Sequence, residues 1–87
     1  PFVFVCGQAS GDATGKIVTD SLEGEVRRSI ENLRAVLKAV DCDLTDIVQT
    51  RNYVRDADDV PEFNRLYREY FKAPFPARTT ITGCLKG

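Results

Sequence analysis

The sequence predicts an α+β domain, with two helices packed on one face of a mixed β-sheet. Three observations predict it. Residues 22–40 and 60–71 carry apolar side chains at steps of three and four. Residues 1–6, 47–54 and 77–84 are rich in β-branched and aromatic residues. Clusters of Gly, Pro and Asp separate these segments. At 87 residues the chain has room for one domain and one core, and a source of burial beyond its own chain is expected.

Pro1-Phe2-Val3-Phe4-Val5-Cys6 reads as a strand because it is an unbroken β-branched and aromatic run. It has no initiator Met and no polar lead-in, so the natural polypeptide is expected to begin further upstream. Gly7-Gln8 ends the run. A glycine there allows a bulge, the simpler reading, or the close approach of a ligand to the backbone. Turn formers dominate residues 9–15, and Lys16-Ile17-Val18 has the length of a minor strand.

From Leu22 to Val40 the residues Leu22, Val26, Ile30, Leu33, Leu37 and Val40 form one stripe of a helix. Asp20 and Glu23 have the spacing of a capping box. Glu23 and Arg27 lie four apart, a pairing worth about 0.3 kcal/mol. Arg27, Arg28, Arg34 and Lys38 read as solvated charges on the helix face. Residues 41–46 break the stripe and lead into a strand from Ile47 to Val54, expected to be buried on both faces near its start. A right-handed βαβ-like crossover through the long helix would connect it to the first strand. Asp56-Ala57-Asp58 closes it.

The second helix is expected from Val60 to Phe71, with Asp59 as N-cap, Pro61 in the first turn and Glu62 completing a D-x-x-E box. Its stripe is Val60, Phe63, Tyr67, Tyr70 and Phe71, read as core first and ligand wall second. Ala73-Pro74-Phe75-Pro76 stops it, because proline lacks the backbone donor and restricts its predecessor. Ala77 to Cys84 is the last strand. Lys86-Gly87 is a turn signal, so a returning strand is expected beyond it; without one, the unpaired edge invites another chain.

Composition narrows the chemistry. With 43% hydrophobic and 29% charged residues the chain reads as soluble and globular. It has no apolar run near the roughly 20 residues of a membrane span and no signal-peptide pattern, so a cytoplasmic or organellar-matrix location is expected. The formal charge is −1 with acids and bases interspersed, which gives no track for a nucleic-acid backbone. Cys6, Cys42 and Cys84 include no CxxC pair, and no histidine is present. Buried free thiols are expected, with no metal site and no disulfide scaffold. Without histidine, the available chemistry is that of Arg, carboxylates, Tyr, backbone groups and water.

Arg78 follows Pro-Ala and begins a Thr-rich strand. A guanidinium there can hold a carboxylate through two parallel hydrogen bonds, a geometry Lys cannot supply; the plainer alternative is a surface or ion-pair arginine. Thr79 and Thr80 are ordinary strand residues whose backbone could line a pocket. Asn64, beside the second apolar stripe, needs partners for its carbonyl and its amide, and tying down a loop would provide them. Lys16 and Lys86 sit by glycines in turns, where nothing makes an amine reactive.

Together these residues resemble the Rid (reactive intermediate deaminase, or YjgF-like) family. Val5-Cys6-Gly7-Gln8 is similar to its V-S-G-Q segment, with Cys6 in place of Ser. Glu31-Asn32-Leu33-Arg34-Ala35-Val36-Leu37 resembles E-N-V-K-A-V-L. Asn64-Arg65-Leu66-Tyr67-Arg68-Glu69-Tyr70-Phe71 resembles N-x-x-Y-x-x-F-F, and Pro74-Phe75-Pro76-Ala77-Arg78-Thr79 resembles P-F-P-A-R-S. The resemblance spans essentially the whole chain, in order.

It implies a chorismate-mutase-like two-layer sandwich and a homotrimer with active sites in the clefts between subunits. It implies hydrolysis of reactive 2-enamine and 2-imino acids, such as 2-aminoacrylate and 2-iminopropanoate, to 2-oxo acids and ammonia, without cofactor or metal. The family's carboxylate-binding arginine maps to Arg78. Backbone groups at Thr80 and Gly7 would line the pocket, and Asn64 joins them as a candidate substrate-binding residue. The family also carries a glutamate on a last strand and a tyrosine near its amino terminus; neither position falls within these 87 residues. The chain therefore reads as one domain of the family, 1–87, without its N-terminal lead-in and C-terminal strand. The alternative is a non-catalytic trimeric module that binds small carboxylates. Ribonuclease activity, attached to some relatives, fits least because histidine and a basic stripe are lacking.

Overall fold

The computed structural model describes residues 2–9, 11, 14, 16 and 21–83. The chain forms two compact units, Pro1–Leu44 and Thr45–Gly87. Among the described residues the regular structure is two helices and a small sheet: α1 (Leu22–Lys38), β1 (Gln49–Val54), α2 (Val60–Tyr70) and β2 (Ala77–Thr82), with 3-10 turns at Leu44–Asp46 and Ala57–Asp59. This is the expected α+β class. No helix among the described residues is long and apolar enough to cross a membrane.

In the first unit, α1 begins at Ser21. Its extended backbone (φ −60°, ψ 162°) aims Oγ at the amide of Gly24, which donates to it at 3.2 Å. Ser21 thus holds the N-cap position expected for Asp20, which lies outside the described residues. Glu23 and Glu25 in the first turn and Lys38 in the last complement the helix dipole. Val26, Ile30 and Leu37 are buried, and Leu22 and Leu33 are half-buried, so the stripe forms as spaced. Val40 falls off it, half exposed, in the turn that ends the helix. There Asp41 takes a left-handed conformation (φ 60°), while the amides of Asp41 and Cys42 donate to the carbonyls of Lys38 (3.2 Å) and Leu37 (2.9 Å). These two bonds close the helix in the manner of a Schellman cap.

Residues 2–6 form no strand in the structure, contrary to expectation. The sheet among the described residues is two-stranded, β1 beside β2, so the segment has no backbone ladder to join. Phe2 and Phe4 are 80% and 93% exposed. The crossover expected through α1 is likewise not formed; the parallel connection runs through α2 instead. The minor strand at 16–18 and the end of the last strand at Cys84 fall on or beside residues outside the described set. Asn32, on α1, donates through Nδ2 to the carbonyls of Ala9 and Gly11, both at 2.9 Å, and so ties the turn after Gly7-Gln8 to the helix. Cys6 is exposed and Cys42 half-buried, both free, so the expectation of buried thiols fails at Cys6.

In the second unit, β1 and β2 pair in parallel from Gln49↔Ala77 to Val54↔Thr82. The Ala77 amide donates to Val48 O (3.0 Å) and the Gly83 amide to Arg55 O (2.9 Å), extending the ladder at both ends. Parallel neighbours require a crossover, which α2 provides. Burial along β1 alternates, with Thr50, Asn52 and Val54 inward and Gln49, Arg51 and Tyr53 outward. The expected two-face burial is absent: Val48 is 68% exposed, because α2 covers one face only.

α2 is entered directly from a 3-10 turn. Asp59 therefore has a helical backbone (φ −86°, ψ −9°) and makes no side-chain cap bond, since such a bond needs an extended residue. Glu62 pairs with Arg65 at 3.5 Å, and the expected D-x-x-E box does not form. Phe63, Tyr67 and Phe71 are buried as the stripe required. Leu66, which the stripe omitted, is 0% exposed and the most deeply buried side chain. Phe71 leaves the helix with an extended backbone (φ −111°, ψ 128°), and the Ala73–Pro74 peptide is cis.

Candidate functional site

Arg78 is the second residue of β2 and lies opposite Thr50 in the register. Alternation along parallel strands puts Thr50 and Asn52 on the same face as Arg78 and Thr80. That face meets α2 through Tyr67, whose hydroxyl shares a 3.1 Å hydrogen bond with Thr50 Oγ1. Asn52 Nδ2 also donates to Thr50 Oγ1, at 3.4 Å. Tyr67 is 4% exposed, and Phe71 stacks against it with centroids 4.3 Å apart and planes 20° apart.

The Arg78 guanidinium lies over this ring, its Cζ 4.7 Å from the centroid. The ring quadrupole attracts the cation. Arg78 itself is exposed. Among the described residues no carboxylate pairs with it. Arg27, Arg34 and Arg65, by contrast, lie 2.9, 2.9 and 3.1 Å from Glu23, Glu31 and Glu69. The surface ion-pair alternative for Arg78 therefore has no partner among the described residues.

Two further polar atoms in this unit are buried without a partner among the described residues: Thr80 Oγ1, on the Arg78 face of β2, and Asn64 Oδ1, on α2. Burial without a partner costs roughly 1–3 kcal/mol, so each such atom calls for an explanation. The loop-tying bonds expected of Asn64 are made by Asn32 instead. Gly7 belongs to the first unit, and Arg78, Thr80 and Asn64 to the second. Gly7 is exposed, a Cβ added there meets nothing within 4 Å, and its φ is not in the left-handed range. Neither conformation nor nearby atoms of the described residues demand a glycine at that position. Lys16 is exposed.

Thr50 was not singled out by the sequence, and Tyr67 entered only within a stripe read as core first and ligand wall second. One signal was present: a tyrosine within a buried stripe needs a partner for its hydroxyl, which a phenylalanine would not. The arrangement can grip a small planar anion, with Arg78 supplying two parallel donors and Tyr67 a fixed base beneath them.

A family model described as Endoribonuclease L-PSP matches residues 1–83. The chain is 37% identical over 81 residues to a RutC family protein of Pyrococcus abyssi, a match that covers 92% of this chain and 64% of the relative. It is 34% identical over 77 residues to the human 2-iminobutanoate/2-iminopropanoate deaminase, covering 87% of this chain and 56% of that protein. A solved Thermotoga maritima structure is similar at a TM-score of 0.86 and 33% identity, over 94% of this chain and 66% of the other. The chain thus spans 64% and 56% of the lengths of these two curated relatives.

Proposed function

The chain belongs to the Rid/YjgF family, and from that premise we propose that its protein hydrolyses reactive 2-enamine and 2-imino acids to 2-oxo acids and ammonia. The observation that carries this reading is Arg78: an exposed guanidinium on a buried ring, with no carboxylate of its own among the described residues. Such a group suits a substrate that brings the carboxylate.

The chemistry asks little beyond binding. The enamine tautomerises to an imine, whose carbon is already electrophilic. Water adds to that carbon, one water proton passes to nitrogen, and the carbinolamine collapses to a 2-oxo acid and ammonia. Holding the imine beside water and supplying a proton path suffices, and no cofactor is needed. Arg78 fixes the carboxylate and hence the position of the imine carbon. The reading assigns backbone contacts to Thr80 and Gly7 and a polar contact to Asn64. The buried, unpartnered Thr80 Oγ1 and Asn64 Oδ1 support ligand or water contacts at those residues. The reading also includes a homotrimer with sites in the clefts between subunits and a cytoplasmic setting.

The second reading is a trimeric module that binds small carboxylates without turning them over. It is favoured by the same geometry, since Arg78 accounts for grip but not for proton transfer. The ribonuclease activity in the family model's description fits less well, because a formal charge of −1 with interspersed signs offers no track for phosphates.

The test generates 2-iminopropanoate from alanine with an amino-acid oxidase and follows its capture by semicarbazide. Deamination by the full-length protein lowers semicarbazone formation. Unchanged capture, together with saturable binding of pyruvate, would establish the binding module instead.

A further inference from the structure

We infer that Tyr67 is a positioning residue for Arg78, holding the guanidinium flat so that its two in-plane donors face the substrate carboxylate. The inference rests on the carboxylate-binding reading of Arg78 and assigns the aromatic base beneath it a part in substrate affinity. A free arginine side chain samples many rotamers, and ordering it on binding costs affinity unless the order is already present. Here the order has a visible source. The Arg78 Cζ sits over the Tyr67 ring at 4.7 Å.

The ring is itself immobilised from three directions. It is 4% exposed. Phe71 stacks on it at 4.3 Å, and two groups this close cannot share one face, so Phe71 backs the ring and Arg78 takes the other side. The hydroxyl is held at 3.1 Å by Thr50, the residue opposite Arg78 in the parallel pair. The strand that carries the arginine, the strand beside it and the crossover helix therefore all meet at the ring over which the guanidinium lies. Stacking also shields one face of the cation from water while leaving its edge donors available to a coplanar carboxylate.

The test is the dissociation constant for pyruvate, a carboxylate of the product class, measured by isothermal titration on the full-length protein. Tyr67→Phe keeps the ring and is expected to stay within about twofold of wild type. Tyr67→Leu removes the ring face and is expected to weaken binding about tenfold, which is about 1.4 kcal/mol. A phenylalanine analogue at position 67 with progressively fluorinated rings keeps the core volume, so it reports even if Tyr67→Leu does not fold. Affinity should fall stepwise with fluorination, as ring quadrupole falls, and KM should rise more than kcat drops. Wild-type affinity throughout the fluorinated series would overturn the inference and leave Tyr67 as core packing. A wild-type protein that does not bind pyruvate would remove the carboxylate reading of Arg78, and this inference with it.

Discussion

The polar side chains of α1 and those around β2 face opposite situations. On α1, Arg27 and Arg34 are paired with glutamates three or four residues away, and Asn32 donates to two loop carbonyls. Around β2, Arg78 lies on an aromatic ring with no carboxylate paired among the described residues, and Thr80 Oγ1 and Asn64 Oδ1 are buried without partners. The helix satisfies its charges locally because its 3.6-residue turn brings i and i+4 together. A strand offers no such neighbour, and the register sets threonines beside Arg78. Satisfied polar groups hold a fold together; exposed or orphaned ones beside a rigid base are available to a ligand.

The largest expected break in this contrast is Arg78→Ala. It should raise the pyruvate dissociation constant about a hundredfold, in line with the roughly 1.5–3 kcal/mol of a hydrogen bond to a charged group, and leave the melting temperature unchanged. Calorimetry with thermal melts checks both halves.

The two asparagines make the next comparison. Asn32→Ala deprives two carbonyls of their donor and should destabilise the protein by about 1–2 kcal/mol in urea unfolding. Asn64→Ala should cost less than about 0.5 kcal/mol, because it removes an atom that already lacks a partner. Equal losses would mean that Asn64 is as structural as Asn32.

Gly7→Ala should leave stability within about 0.5 kcal/mol, since the added Cβ meets nothing within 4 Å among the described residues. A fall in imine turnover without a change in melting temperature would then mark the backbone at Gly7 as a contact for something the chain itself does not supply. The smallest effect belongs to Arg34→Ala, an exposed ion pair worth about 0.3–0.5 kcal/mol that should weaken further in high salt.

Much of this fold was legible in the sequence because it is local. The stripes at 22–40 and 60–71 placed both helices to within two residues, and the β-branched runs placed β1 and β2. What failed depended on distant partners. Residues 2–6 have strand composition, but a strand exists only where another backbone pairs with it. The cap at Asp59 failed because the preceding 3-10 turn gave it a helical backbone, which composition alone does not reveal.

The candidate site divides in the same way. The P-F-P-A-R-T segment made Arg78 visible, whereas Tyr67 passed as one more core aromatic. Its hydroxyl partner, Thr50, is 17 residues away in sequence, and the ring reaches Arg78 only after α2 has crossed between the strands. The loop-tying expected as one reading of Asn64 falls to Asn32 for a similar reason. Which asparagine meets a loop is decided by packing rather than by position in a stripe.

The role proposed for Arg78 is to hold the carboxylate of a reacting imine. Its most direct test compares full-length protein and the Arg78→Ala variant for removal of 2-iminopropanoate in competition with semicarbazide, with melting curves recorded alongside. The wild type is expected to suppress semicarbazone formation, and the folded variant to lose about a hundredfold in kcat/KM. An equally active Arg78→Ala variant would contradict it.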